Sequence, residues 1–447
     1  MDLPPSRSSD RWVLSVVFLC LASLAARGAE ELVVISPHND AIRYEFGRAF
    51  SEWCRTRDHR DVRVQWRDVG GSSEALRFVQ SEFAKKPQGI GVDCFFGGGL
   101  EPHVVLARKN LLRASPPGEE LLRFVPTQLN GIDLYDPGHR WHGAAISSFG
   151  ILQNLEAQRR VGLPEAKRWE DLADPRLMGW VGAGDPRTSG TMMVMYEGIL
   201  QFHGWEKGWR VLTQMAGNAR RFDRVSSTTA KDVTVGETAY GLAIDFYGFS
   251  QVSYAGDGRL AFLLPADFAP VSPDPISVLQ GAPHLELALR FVQFVVGEPG
   301  QKLWYLPKGH AEGAVRNSIE RMPVRKDLYE RYGDVSRVRS SPFQNPDTFN
   351  YNGKKSGDRR DILPVLLGAL LVDTHEELQS AWRAVIQRGA SEAELARLGR
   401  APVSEDEVMR LAAGPWKTNA FRLQKRIEWQ TWAGEKYRQI VRGPAIP

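Results

Sequence analysis

Three times in succession, the N-terminal part of the chain runs a short apolar strand into a polar or glycine-rich loop and then a helix. The first instance is Leu32 to Cys54. Leu32 to Ile35 is a short, mostly β-branched run that suits a strand covered on both faces. Pro37 stops it, and Ile42, Phe46, Ala49, Phe50 and Trp53 then fall on one face of a helix. Asn39 or Asp40 is the candidate N-cap. The second instance is Val62 to Trp66, ending in Asp68-Val-Gly-Gly-Ser-Ser before a helix from Ser73 to about Lys85. The third is Val92 to Phe96, closed by Gly97, Gly98 and Gly99 before a helix from His103 to Leu112. Consecutive units of this kind predict a parallel sheet with right-handed crossovers. Ligands of open α/β sheets bind at the carboxyl ends of the strands. The loop Ser36-Pro37-His38-Asn39 is therefore expected to form one wall of a ligand cleft.

At 447 residues the chain exceeds what one core usually serves, so two lobes are expected. Gly143 to Leu152 reads as the first crossing between them, and Leu260 to Pro265 as the strand that returns. The predicted division is residues 30–145 plus 265–340 for lobe one and 146–264 for lobe two. Residues 341–447 form a helical C-terminal extension, expected to pack on lobe one. Ser340 to Arg360, rich in Pro, Asn, Gly and charge, reads as a loop. In lobe two, Ser189-Gly190-Thr191 opens a helix running to about His203, and Tyr240 to Phe246 is an apolar strand ending at Asp245 and Tyr247.

The formal charge of +4 argues against a dedicated nucleic-acid binder. Residues 1–29 read as a secretory signal: Arg7 and Arg11 precede the apolar run Trp12 to Ala26, and small residues follow. An uncleaved anchor is the alternative, and the run is short for a span. Export could pair Cys54 with Cys94, but one sits at a helix end and the other in an apolar strand, so two buried free thiols are expected.

No phosphate loop, nucleophile elbow or zinc-protease motif is present. His139 and His142 lack partners at metal-ligand spacing. Gly71, Ser72 and Ser73 in one lobe, and Ser189, Gly190 and Thr191 in the other, supply hydroxyls and N–H groups at helix starts, which favours an anion. Ordinary N-capping is the other reading. Gly98 permits close backbone approach to a ligand. Asp245 and Tyr247 mark either the cleft or a hinge residue and a core ring. Arg187 could grip a carboxylate or phosphate, or pair with Asp185.

The ordered strings LVVISPHNDAIRYEFGRAFSEW, GGSSEALRFV, VDCFFGGG, WEDLADPRLMGWVGAGDPRTSGT, GETAYGLAIDFYG and GAPHLELALRFVQFVVGEPGQKLW span roughly residues 30 to 310. In this order they resemble the bacterial extracellular solute-binding proteins of ABC importers, and within these the ferric-iron-type group. DLADPRLMG followed by DPRTSGT is the most specific part. The resemblance implies an α/β, two-lobed type II periplasmic binding fold with a two-crossing hinge. It further implies a monomeric periplasmic protein without catalysis that hands its ligand to an inner-membrane permease. Iron binders of the group often carry adjacent tyrosines where this chain has Phe246 and Tyr247. A ferric ion bound as ligand, with His38 and Tyr247 as candidate donors, and a small anion such as a phosphate ester or carboxylate both stay open. On this reading the ligand contacts are Ser36, His38, Asn39, Gly71, Ser72, Ser73 and Gly98 from lobe one, and Ser189, Gly190, Thr191, Asp245 and Tyr247 from lobe two. The rivals are an exported hydrolase or transferase on a similar scaffold, pairing His38 with Ser72 or Ser189, and a sensor docking on a membrane receptor.

Overall fold

The computed structural model describes residue 1 and residues 29–443, apart from 225, 257, 339 and 344–348. The export segment therefore lies almost wholly outside the described residues. In lobe one, strand β1 (Glu30–Ile35), helix α1 (Asp40–Asp58), strand β2 (Val62–Arg67), helix α2 (Ser72–Lys85), strand β3 (Cys94–Phe96) and helix α3 (Leu100–Arg108) follow in order. β1 pairs in parallel with β2 on one side and β3 on the other, as three βα units require. α1 starts where Asn39 caps it, its side chain accepting from Ile42 N at 3.0 Å.

The long strand β4 (His142–Asn154) then carries the chain into lobe two. There β5 (Val181–Gly184), α4 (Gly190–His203), α5 (Trp205–Asn218), β6 (Ala219–Asp223), α6 (Ser226–Val235), β7 (Tyr240–Ile244), α7 (Asp245–Ala255) and β8 (Leu260–Leu263) follow. Two expectations are corrected here. β8 does not return to lobe one; it pairs with the far end of β4, Leu260 opposite Asn154. The return is β9 (Val271–Leu279), antiparallel to β4 and then to β3. Pro273 and Pro275 disguised it, since proline is disfavoured inside strands and tolerated at bulges. A register shift falls between Asp274 and Pro275. Second, Asp245 and Tyr247 do not end a strand. They form the first turn of α7, because β7 stops at Ile244.

Helices α8 (Leu285–Val296) and α9 (Glu298–Tyr305) cover lobe one, and the short strand β10 (Met322–Pro323) lies along β4. One eleven-stranded sheet, its main path ordered β2-β1-β3-β9-β4-β7-β5-β6, thus runs through both lobes. Cys54 and Cys94 are buried and unbonded.

The C-terminal helices α10 (His375–Gln387), α11 (Glu392–Gly399), α12 (Glu405–Ala413) and α13 (Asn419–Arg442) pack on lobe two, not on lobe one as expected. The cause is α5, whose Trp209, Leu212, Met215 and Ala216 share one buried cluster with Leu378, Trp382 and Val385 of α10. Trp382 lies so close to Gly217 that a Cβ there would stand 2.5 Å from its ring, and its Nε1 donates to Asn218 Oδ1 at 2.7 Å. No helix among the described residues is long and apolar enough to cross a membrane.

Candidate functional site

The loop after β1 folds back on itself before reaching the lobe junction. Ser36 Oγ accepts from His38 N at 3.2 Å, which turns the His38 side chain inward while Asn39 stays exposed as the helix cap. The imidazole rests edge-on against Phe96 and Trp304. Gly97, at φ 88°, makes room for it: a Cβ at that position would stand 2.4 Å from the ring. Pro37, Ser72 and Gly98 meet in the same wall, Gly98 facing both the proline ring and the Ser72 hydroxyl. Four of the lobe-one candidates, Ser36, His38, Ser72 and Gly98, are therefore gathered by the carboxyl ends of adjacent strands. Gly71 is the exposed N-cap of α2, and Ser73 follows in its first turn.

His38 does not face a serine. Its Nε2 lies 2.8 Å from Asp274 Oδ2 on β9. Ser189 Oγ, the other nominated partner, is spent capping α4 at Met192 N. Neither pairing that the hydrolase reading named, with Ser72 or with Ser189, is made. Asp274 instead accepts three hydrogen bonds. Gly99 N reaches Oδ1 at 2.9 Å, while His38 and Arg321 Nη1 share Oδ2, the latter at 2.5 Å. Arg321 Nη2 donates to Ser147 Oγ at 2.7 Å. β4 explains this meeting. Its Ala145 pairs with Asp274 on one edge and with Pro323 on the other, so the residue just before β10 arrives beside β9 and Ser147.

The junction is densely charged and buried. The Arg321 side chain is 5% exposed, and its guanidinium lies 5.1 Å from the Trp304 ring of lobe one and 5.1 Å from the Phe246 ring of lobe two. Asp245, fully buried at the start of α7, accepts from Phe246 N at 2.8 Å. Burial pushes its carboxyl up to about 7, against the opposing pull of Arg321. Burial acts on Asp274 in the same sense, but Arg321 and His38 outweigh it and hold that carboxyl far below the usual range. Three buried polar atoms of this cluster lack a hydrogen-bond partner among the described residues: Arg321 Nε, Asp245 Oδ2 and His38 Nδ1. Unmet buried donors and acceptors of this kind mark a place for a ligand or water.

The lobe-two candidates divide. Ser189 caps α4, Gly190 is exposed and Thr191 is half-buried at its first turn. Tyr247 packs against Phe246 and the cluster of Leu152, Ala230 and Val233. His38 and Tyr247 are thus engaged by different partners. His139 and His142 stack at 5.4 Å, and no group of three or more His, Cys, Asp or Glu side chains is placed to hold a metal among the described residues. Arg187 pairs with Asp185, as one sequence reading had it, and also with Asp373 of the extension at 2.8 Å. Asp274, Arg321 and Ser147 were missed from sequence. Asp274 had a weak signal, a lone carboxylate in an apolar run between two prolines; Arg321 had none.

Residues 106–311 match the family described as bacterial extracellular solute-binding protein. That stretch is a little under half of the chain. Its fold agrees. The chain is similar to iron-bound HitA from Pseudomonas aeruginosa, at 21% identity and TM-score 0.54, covering 80% of this chain and 99% of that one. It is also similar to the periplasmic binding protein AfuA from Actinobacillus pleuropneumoniae, with fructose-6-phosphate bound, at 17% identity and TM-score 0.50, covering 87% and 97%. Among sequences, the phosphoglycerate transport regulatory protein PgtC of Salmonella typhimurium is 26% identical over 343 residues, 74% of this chain and 77% of PgtC. The fold is the two-lobed type II periplasmic binding fold.

Proposed function

We propose that this solute-binding protein captures a small phosphorylated or carboxylated anion between its lobes in the periplasm and delivers it to an ABC permease. The observation that carries this reading is Arg321, a buried guanidinium at the lobe junction with Nε unpartnered. Guanidinium is the side chain best matched to phosphate and carboxylate oxygens. The helix starts at Gly71-Ser72 and Ser189-Gly190-Thr191 add N–H groups and hydroxyls of the right polarity from the two lobes. The names of AfuA, with its sugar phosphate, and of PgtC point to the same ligand class.

Ferric iron is the second reading, favoured by the likeness to HitA. The donor chemistry supports it less. His38 Nε2 is engaged by Asp274, and Phe246 lies against the Arg321 guanidinium where the resemblance would place a tyrosine ligand. A cation beside that position repels a metal ion and attracts an anion.

Thermal unfolding with a phosphoglycerate, fructose-6-phosphate, inorganic phosphate, citrate and ferric ion tests the choice. A ligand at about one hundred times its dissociation constant stabilises by roughly 2.7 kcal/mol. An upward shift with a phosphate ester or carboxylate, lost in Arg321→Lys, is the expected result. A shift with ferric ion alone would overturn the anion reading.

A further inference from the structure

A solute-binding protein of two lobes opens and closes about the strands that cross between them, here β4 and β9. This chain has a third connection. Residues 349–360, predicted as a plain loop, lie between lobe one and the C-terminal helices and touch both lobes in alternation. Phe349 packs in lobe two, its ring 4.9 Å from Phe268 and 5.7 Å from Phe202 of α4. Two residues on, Tyr351 packs against the lobe-one core, and its N–H donates to Asn130 O at 3.0 Å in the hairpin of residues 128–133. Asn352 turns back to α4, with its N–H on Gln201 Oε1 at 2.7 Å and its carbonyl accepting from Gln201 Nε2 at 3.2 Å. Arg359 is fully buried against Glu197 of α4 and reaches Glu405 of α12 at 2.5 Å. Arg360 then pairs with Glu101, in the first turn of α3 in lobe one, at 2.5 Å.

The helix that the strap grips is α4, whose N-terminus carries Ser189, Gly190 and Thr191. Its grip on lobe two is buried and charged; its grip on lobe one, among the described residues, is a main-chain hydrogen bond, the Tyr351 ring, backbone packing of Tyr351 on Gly131 and a surface ion pair. Contacts of the first kind are costly to break, and exposed ion pairs are weak. Separation of the lobes would therefore peel the strap from lobe one while it stays fixed to α4.

We infer that residues 349–360 are an interlobe strap that restrains opening, so that the C-terminal extension sets how far and how often the cleft opens. A released strap would expose the Tyr351 ring and free Arg360 only in the open state, coupling the extension to cleft occupancy. This holds whichever ligand the cleft takes.

The test is the distance distribution between the lobes without ligand, by pulsed electron–electron resonance on full-length protein. Labels go on Arg77→Cys in α2 and Lys207→Cys in α5, both exposed; buried Cys54 and Cys94 stay unlabelled. Y351A/R360E, which frees the lobe-one end, should raise the long-distance population about tenfold, the change that losing about 1.4 kcal/mol of closing free energy produces. The charge swap E101R/R360E should return the distribution of R360E alone toward that of the parent. Unchanged distributions in folded Y351A/R360E overturn the strap. If that variant does not fold, R360E alone decides: broadening reversed by the swap supports the strap, and no difference from the parent refutes it.

Discussion

Two arginines in this molecule each stand between two carboxylates, and they do different work. Arg187, in the loop before α4, has every guanidinium nitrogen occupied: Nε and Nη2 on Asp185, Nη1 on Asp373. It lies against the backbone of Gly368, where a Cβ would come within 2.6 Å of its side chain. Arg321, at the lobe junction, is more deeply buried yet keeps Nε unpartnered. A saturated arginine that ties its own loop to the extension is a staple. A buried one with an open donor, between rings from two lobes, is the group to which our proposal assigns the ligand. DPRTSGT drew attention to the first, and nothing local announced the second.

The largest expected break in this contrast is Arg321→Leu. It strands Asp274 without its cation, and loss of one partner of a buried pair costs about 3–5 kcal/mol. Urea denaturation checks the loss. Arg321→Lys should keep most of the stability and still lose affinity for the anion by calorimetry, since lysine cannot reproduce the planar fork.

Asp245→Asn sharpens the electrostatic half. The folded protein holds a proton on Asp245 up to about pH 7, whereas the unfolded chain releases it near pH 3.8. The stability this proton contributes is complete below about pH 4, declines as pH rises toward 7, and is gone above it. The variant should flatten that slope and be more stable than the parent at pH 8, by roughly 4 kcal/mol at 1.36 kcal/mol per pH unit. Urea midpoints across pH 4 to 8 that superimpose for the two proteins would remove Asp245 from the account.

Arg187→Ala should cost about 2 kcal/mol through its charged hydrogen bonds, and Asp373→Ala should not add to it. Ligand affinity should stay near that of the parent; a collapse of affinity would make Arg187 a ligand residue and dissolve the contrast. The smallest effect is Ser189→Ala, about 1 kcal/mol for a lost N-cap. A loss of affinity beyond that cap energy would show that Ser189 also touches ligand.

The parts of the fold that were legible in the sequence are those written in short-range pattern. The three βα units, the Asn39 cap and the helix opened by Ser189 follow from periodicity and turn chemistry over a few residues. The return crossing β9 was hidden because Pro273 and Pro275 break the pattern of a strand that survives through a bulge. The placement of the extension was hidden for another reason. Amphipathic helices show that they need a partner, not which one; α5 became the partner because its outer face carries tryptophans that water would not cover.

By itself, then, the sequence determined where the first strands end and the helices that follow them start, since each depends on residues a few positions apart. Only the tertiary structure decided which charged groups meet at the lobe junction. His38, Ser147, Asp245, Asp274 and Arg321 come from five segments of the chain, brought together by the pairing of β4 with β9, β10 and β7 and of β3 with β1 and β9. No local rule links such positions, and a charge that would be ordinary on a surface acquires its chemistry from the burial that this pairing imposes.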